Sequence, residues 1–148
     1  MLMTGSPQID AERAFARAAR ARRRAAVTRR LRRRPQDHGR LPVYDAGQVA
    51  RGGAPARRGI RPIALDAITG TLEPTRAAQF DRAFRPAGAA RGRWQRLWLA
   101  EHKGAALPPI SVVPVGDGYA VRDGHHRVSV ARARGALTID ATIDSAHA

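Results

Sequence analysis

Val121-Arg122-Asp123-Gly124-His125-His126-Arg127-Val128 decides how this chain is read. The stretch begins as a short strand, turns at Asp123-Gly124 and starts a helix at once. The first amides of a helix have no partner within it, and the aligned peptide dipoles make that end positive. Two imidazoles and a guanidinium in the first turn therefore mark a site for an anion, most naturally a phosphate. Asp123 fits the N-cap of such a helix. His125 and His126 are poorly placed to share one metal ion, because neighbours on a helix diverge by about 100°.

The pattern extends outward from that turn. The helix runs from Gly124 to Arg134 and stops at Gly135, and Thr138 to Ile143 then alternates as a last strand, with Ile139, Ala141 and Ile143 on one face. Upstream, Ile110 to Val115 and Tyr119 to Val121 read as strands joined by Gly116-Asp117-Gly118, a hairpin turn. Arg91 to Lys103 has helical spacing of Trp94, Leu97, Trp98 and Glu101, with Gly104 suited to its end. On that stripe Trp94 and Trp98 belong to the core, and Glu101 and Lys103 to solvent. Thr75 to Phe84 reads as a helix carrying Phe80 and Phe84, and Ile60 to Ile68 as the first strand. The order is α+β: a small mixed β-sheet with packed helices.

Before residue 60 the chemistry changes. Asp10 to Arg34 holds no Gly or Pro, so a helix is expected, with Asp10 as its N-cap and Pro35 as its stop. Its apolar positions (Phe15, Ala18, Ala19, Ala26, Val27, Leu31) are sparse and small, which predicts a helix that projects or packs loosely. Residues 35–60 are rich in Gly and Pro, with Leu41-Pro-Val-Tyr44 expected to dock on the main body. The organisation reads as an Arg-rich helical segment at 1–40, a Gly/Pro-rich linker at 41–59 and a folded domain at 60–148.

Composition narrows the chemistry. The net charge is +15 with a single lysine, so arginine carries nearly all the positive charge. Twelve arginines against Asp10, Glu12 and Asp37 give residues 1–40 a net of +9. A balance this basic favours polyanions over membranes. Arg22, Arg23, Arg24, Arg29, Arg30, Arg32, Arg33 and Arg34 are the candidate contacts to nucleic-acid phosphates, without any base-reading pattern. The absence of cysteine excludes thiol catalysis and disulfides. No segment has the roughly 18 apolar residues that span a bilayer, and the first ten residues lack a secretory pattern, which together predict a cytoplasmic protein.

The run from Leu107 to Ile143, LPPISVVPVGDGYAVRDGHHRVSVARARGALTIDATI, resembles the core of the ParB/sulfiredoxin-like superfamily, which includes the ParB-like nuclease domains. Upstream, IRPIALDAITGTLEPTRAAQFDRAF resembles the first strand and phosphate-contacting box of ParB N-terminal domains, so the likeness spans about residues 60–143. The resemblance implies a nucleotide triphosphate, CTP or ATP with Mg²⁺, bound at the helix start. Gly124 matches the glycine of both motif forms, Arg127 the shared arginine, and His126 the histidine of the sulfiredoxin form. His125 stands where sulfiredoxin has its reactive cysteine, so sulfinic-acid reduction is excluded. Glu73 and Arg76 match the spacing of the ParB Glu-x-x-Arg box, although Pro74-Thr75 replaces Asn-Pro and Ala77 stands where a lysine often follows. No room remains after the last strand for the ParB centromere-reading domain.

The site this implies comprises Arg76, Gly124, His125, His126 and Arg127 for phosphate, with Glu73 and His125 as the catalytic candidates. The first expectation is a DNA-associated module that binds nucleotide or nucleic-acid phosphates. The alternatives are an active enzyme of the same fold (a metal-dependent nuclease, or a nucleotide hydrolase or kinase) and a degenerate protein-interaction domain. Oligomeric state is left open.

Overall fold

A computed structural model describes residues 5–32, 39–51 and 59–144. The elements are, in chain order, α1 (Pro7–Arg32), α2 (Ala46–Arg51), β1 (Ile60–Ala64), β2 (Ile68–Thr71), α3 (Pro74–Ala77), α4 (Arg91–His102), β3 (Ile110–Val115), β4 (Gly118–Asp123), α5 (His125–Ala133) and β5 (Thr138–Ile143). The five strands form one mixed sheet in the order β1-β5-β3-β4-β2. The expected α+β class is the observed one.

The hairpin, α4, α5 and β5 stand where the sequence places them. Val115 pairs with Gly118 across a two-residue turn, and Gly116 takes φ 56°, the left-handed conformation such turns demand. Alternation along the strands divides the sheet's two faces. Val112 and Val121 enter the main core with Ile63, Phe80 and Val128, while Val113 and Ala120 pack under Val49 of α2 on the opposite face. Leu41 is buried in the main core, and Tyr44 N–H donates to Thr71 O while Thr71 N–H donates to Pro42 O, so the expected docking of Leu41–Tyr44 is present.

Four expectations are corrected. The strand expected from Ile60 to Ile68 is two strands, separated by a 3₁₀ turn at Leu65–Ala67 and lying on opposite edges of the sheet. Four residue steps from Ala64 to Ile68 reach at most about 14 Å. The outer strands of a flat five-stranded sheet lie about 19 Å apart. The sheet must therefore curl until its edges approach at this end, and the Arg61 Nη2 to Tyr119 Oη hydrogen bond of 3.1 Å, from β1 to β4, reports that closure.

The helix expected at Thr75–Phe84 is only the single turn of α3. Asp81 is the reason. Its Oδ1 accepts the backbone N–H of Ala83 and of Arg85, both at 2.9 Å, and its Oδ2 accepts from the Arg85 guanidinium at 3.2 Å. Such a side chain offers the backbone an alternative to the helical ladder. Phe84 follows at φ 58°, off the helical path, yet Phe80 and Phe84 both reach the core.

The third correction concerns α1. It starts at Pro7, a favoured first helical residue, so Asp10 lies within the first turn and is not the N-cap. Nor does the whole helix project: Phe15 is fully buried, edge-on to Trp94 at 5.5 Å, with Arg91 Cζ 4.7 Å over its ring. Ala11, Ala14 and Ala19 complete this contact against α4, whereas Val27 and Leu31 are exposed. The proposed stop at Pro35 lies outside the described residues. Finally, Glu101 is only partly solvated, with its side chain 23% exposed and its carboxylate 3.6 Å from Arg134 Nε.

Candidate phosphate site

The helix start of α5 is fixed by one glycine. Gly124, not Asp123, is the N-cap, at φ 109° and ψ 24°. A Cβ at this position would lie 2.4 Å from Ile110 Cγ2, so both conformation and space exclude any other residue. Asp123 instead ends β4, opposite Ser111 of β3. Val128 N–H donates to Gly124 O at 3.0 Å, which leaves the amides of His125, His126 and Arg127 ahead of the helical ladder.

Beside these amides is a cavity of about 180 Å³, lined by Gly124, His125, His126, Arg127, Arg76 and Arg93 among others. All five expected phosphate-site residues thus converge. Three guanidiniums face one small volume at the positive end of a helix, an arrangement suited to a multivalent anion. Arg127 is the most telling of them. Its Nε and Nη1 are buried and make no hydrogen bond. Buried polar groups are rarely left unsatisfied, and leaving a charged donor without an acceptor costs about 1–3 kcal/mol or more.

Arg93 is a residue that the sequence reading missed. It stands in the first turn of α4, in an Arg-Gly-Arg run that looks like any solvated helix start. Only the packing of α4 against α5 brings it to the cavity.

The two histidines do not act as cations. Burial, then the charges of Arg76, His126 and Arg93, pushes His125 down to about 4, with Asp123 opposing. Burial, then Arg93 and Arg76, pushes His126 to about 4 as well. Both rings are neutral at physiological pH and both pack on Phe80: His125 stacked at 6.5 Å, His126 edge-on at 5.2 Å. His125 Nε2 lies 2.5 Å from Thr71 Oγ1, which also accepts the Glu73 N–H at 2.8 Å and lies 3.3 Å from Val121 O. The hydroxyl has one proton to give and donates it to Val121 O, so a neutral His125 ring protonated at Nε2 donates to Thr71 Oγ1.

Glu73 is joined to the site through that backbone link. It is exposed, caps the four-residue α3 without a side-chain hydrogen bond, and does not line the cavity. Among the described residues no group of three or more His, Asp and Glu side chains comes together to hold a metal ion. The residues around the cavity therefore fit a phosphate, and a Mg²⁺ ion there would depend on phosphate oxygens for its ligands. Of the arginines assigned to nucleic acid, Arg22, Arg23, Arg24, Arg29, Arg30 and Arg32 lie on the second half of α1, away from the cavity lining. Arg33 and Arg34 lie outside the described residues. No helix among the described residues is long and apolar enough to cross a membrane.

Among solved structures, the chain is similar to sulfiredoxin from Arabidopsis thaliana, with a TM-score of 0.43 and 22% identity over 59% of this chain and 85% of that one. No family model and no curated protein matches.

Proposed function

We propose that this chain binds phosphate groups, of a nucleotide or of nucleic acid, at the N-terminus of α5, and that it is a DNA-associated binding module. The buried Nε and Nη1 donors of Arg127, which have no hydrogen-bond acceptor, carry this reading. An oxyanion in the cavity would supply the missing acceptor, receive the free amides of the first turn, and be neutralised by Arg76 and Arg93. With both histidines neutral, their part is to shape the site and to donate or accept single hydrogen bonds. A nucleotide triphosphate such as CTP or ATP, with Mg²⁺ held on its phosphates, fits the donor set. The exposed arginines of α1 supply a second, nonspecific phosphate-binding surface.

One observation favours an enzyme of the same architecture. Thr71 joins the Glu73 backbone amide to the His125 ring, so the two catalytic candidates are linked through one hydroxyl although the Glu73 carboxylate itself is exposed. The neutral His125 ring keeps one nitrogen as an acceptor, and its value of about 4 makes it a weak general base.

The test is a thermal-shift panel of ATP, CTP and GTP, each with and without Mg²⁺, alongside plasmid DNA. The module reading predicts stabilisation by at least one nucleotide or by DNA, absent in Arg127→Ala. No shift from any of them overturns it and leaves a protein-interaction domain. Plasmid nicking that disappears in Glu73→Ala replaces the module with the enzyme.

A further inference from the structure

A second and larger cavity, of about 580 Å³, lies between α1 and the body of the protein. Its volume falls within the range of small-molecule sites, roughly 300–1,000 Å³. It is distinct from the phosphate site, with which it shares no lining residue. Its walls divide by chemistry.

One wall is apolar. Ala18 and Ala21 give α1 a low surface, opposite Phe84 and Pro86 of the segment that Asp81 holds out of the helix. The rest is cationic: Arg17, Arg85, Arg132 and Arg134 line the cavity, and among the described residues no carboxylate does. The acids that pair with three of these arginines stand outside it. Asp81 binds Arg85, Asp66 faces Arg132 at 3.6 Å and is 95% exposed, and Glu101 faces Arg134. Each guanidinium has five N–H donors, so one such partner leaves most of them available. Arg132 shows this directly. Its Nη2 donates to Leu65 O at 3.1 Å, while its Nε is buried with no hydrogen-bond partner.

From this wall chemistry we propose that the cavity binds a small organic anion with an apolar body, an aromatic or acyl carboxylate or sulfonate. The alanines, Phe84 and Pro86 take the hydrocarbon, and Arg132 with its neighbours takes the acid group. A nucleobase is disfavoured here because it would need an aromatic face to stack on. Trp98 itself offers no open face, with His102 at 5.0 Å and Arg134 Cζ at 5.1 Å over its ring.

Anilinonaphthalene sulfonate is a suitable probe, being an apolar arene with one acid group and a fluorescence that rises on leaving water. Titrated into the full chain, it should bind saturably at one site and take up energy from tryptophan emission. Phenylnaphthylamine, the same arene without the acid, should bind about tenfold or more weakly, the worth of one charged hydrogen bond. Ala21→Trp fills the cavity and should remove the signal, with circular dichroism reporting whether α1 has stayed helical. Arg132→Gln leaves the packing of α1 untouched and should weaken the sulfonate about tenfold while sparing the neutral arene. Arg127→Ala should leave the sulfonate titration as it is, because Arg127 does not line this cavity. The inference is overturned by equal affinity for the two arenes, by unaltered sulfonate binding in Arg132→Gln, or by displacement of the probe with pyrophosphate.

Discussion

The arginines at the start of α5 and those on the second half of α1 carry the same charge in opposite settings. Around the cavity, Arg76, Arg93 and Arg127 come from three separate elements to enclose about 180 Å³, and Arg127 has buried donors with no acceptor. On α1, Arg23, Arg24, Arg30 and Arg32 are exposed along one helix. In the first group Arg76 is tied to Gln79 Oε1 at 3.3 Å and Arg127 is partly buried, so less binding energy is spent on ordering those side chains. The second is a solvated row that can meet a polyanion only through counterion release. A count of arginines cannot tell these apart, because what makes a site is convergence and burial.

The two halves of α1 differ as sharply, and the largest effect should come from making them alike. Phe15→Ala removes the ring that Trp94 and Arg91 enclose and should destabilise the protein by about 3–5 kcal/mol in denaturant unfolding. Leu31→Ala, at 79% exposed, should cost under about 0.5 kcal/mol. A small loss from Phe15→Ala would mean that the whole helix is as loosely held as its basic end.

The rigidity of the cavity rests on Gly124. Gly124→Ala combines a left-handed φ with a clash against Ile110 and should cost about 2–4 kcal/mol. Gly135→Ala has a similar φ, 79°, but open space around it, and should cost about 1 kcal/mol. Equal losses would show that the close approach to Ile110 does not constrain the helix start.

Titration separates the regions next. His125 and His126 have folded values of about 4 against an ordinary 6.5, so the unfolded chain takes up protons first as the pH falls. Stability that is full above about pH 6.5 should therefore drain away toward pH 4, and the melting temperature should fall across that window. Replacing His125 by Asn should flatten part of the slope, and a melting temperature flat from pH 7 to 4 would contradict the burial of both rings. Changing Arg23, Arg24 and Arg30 to Gln should leave stability within about 0.5 kcal/mol but lower the salt dependence of DNA binding by about three units of slope. An unchanged slope would remove α1 from the nucleic-acid interface.

The legible part of this fold is the part specified locally. Gly116-Asp117 closes its hairpin, Gly104 and Gly135 stop α4 and α5, and the alternation of Thr138–Ile143 names its buried face without reference to distant residues. The candidate anion site was legible for the same reason, since a strand, a glycine and a helix start adjoin in sequence. The hidden features depend on partners far along the chain. Nothing between Ile60 and Ile68 marks a break, since the turn there contains neither Gly nor Pro and exists because each half pairs with a different edge of a curled sheet. Phe15 looks like one aromatic among alanines until Trp94 covers it. Arg93 joins the cavity only through the contact between α4 and α5. Asp81 broke an expected helix through side-chain hydrogen bonds that helical spacing does not register.

The central claim is that an oxyanion completes the buried Nε and Nη1 donors of Arg127. Titration calorimetry of pyrophosphate into the wild type and into Arg127→Ala tests this most directly, with unfolding of each protein measured alongside. Saturable binding that weakens about tenfold to a hundredfold in Arg127→Ala, with folding retained, is the predicted result. Equal affinity in the two proteins would contradict the account and place any phosphate site elsewhere on the molecule.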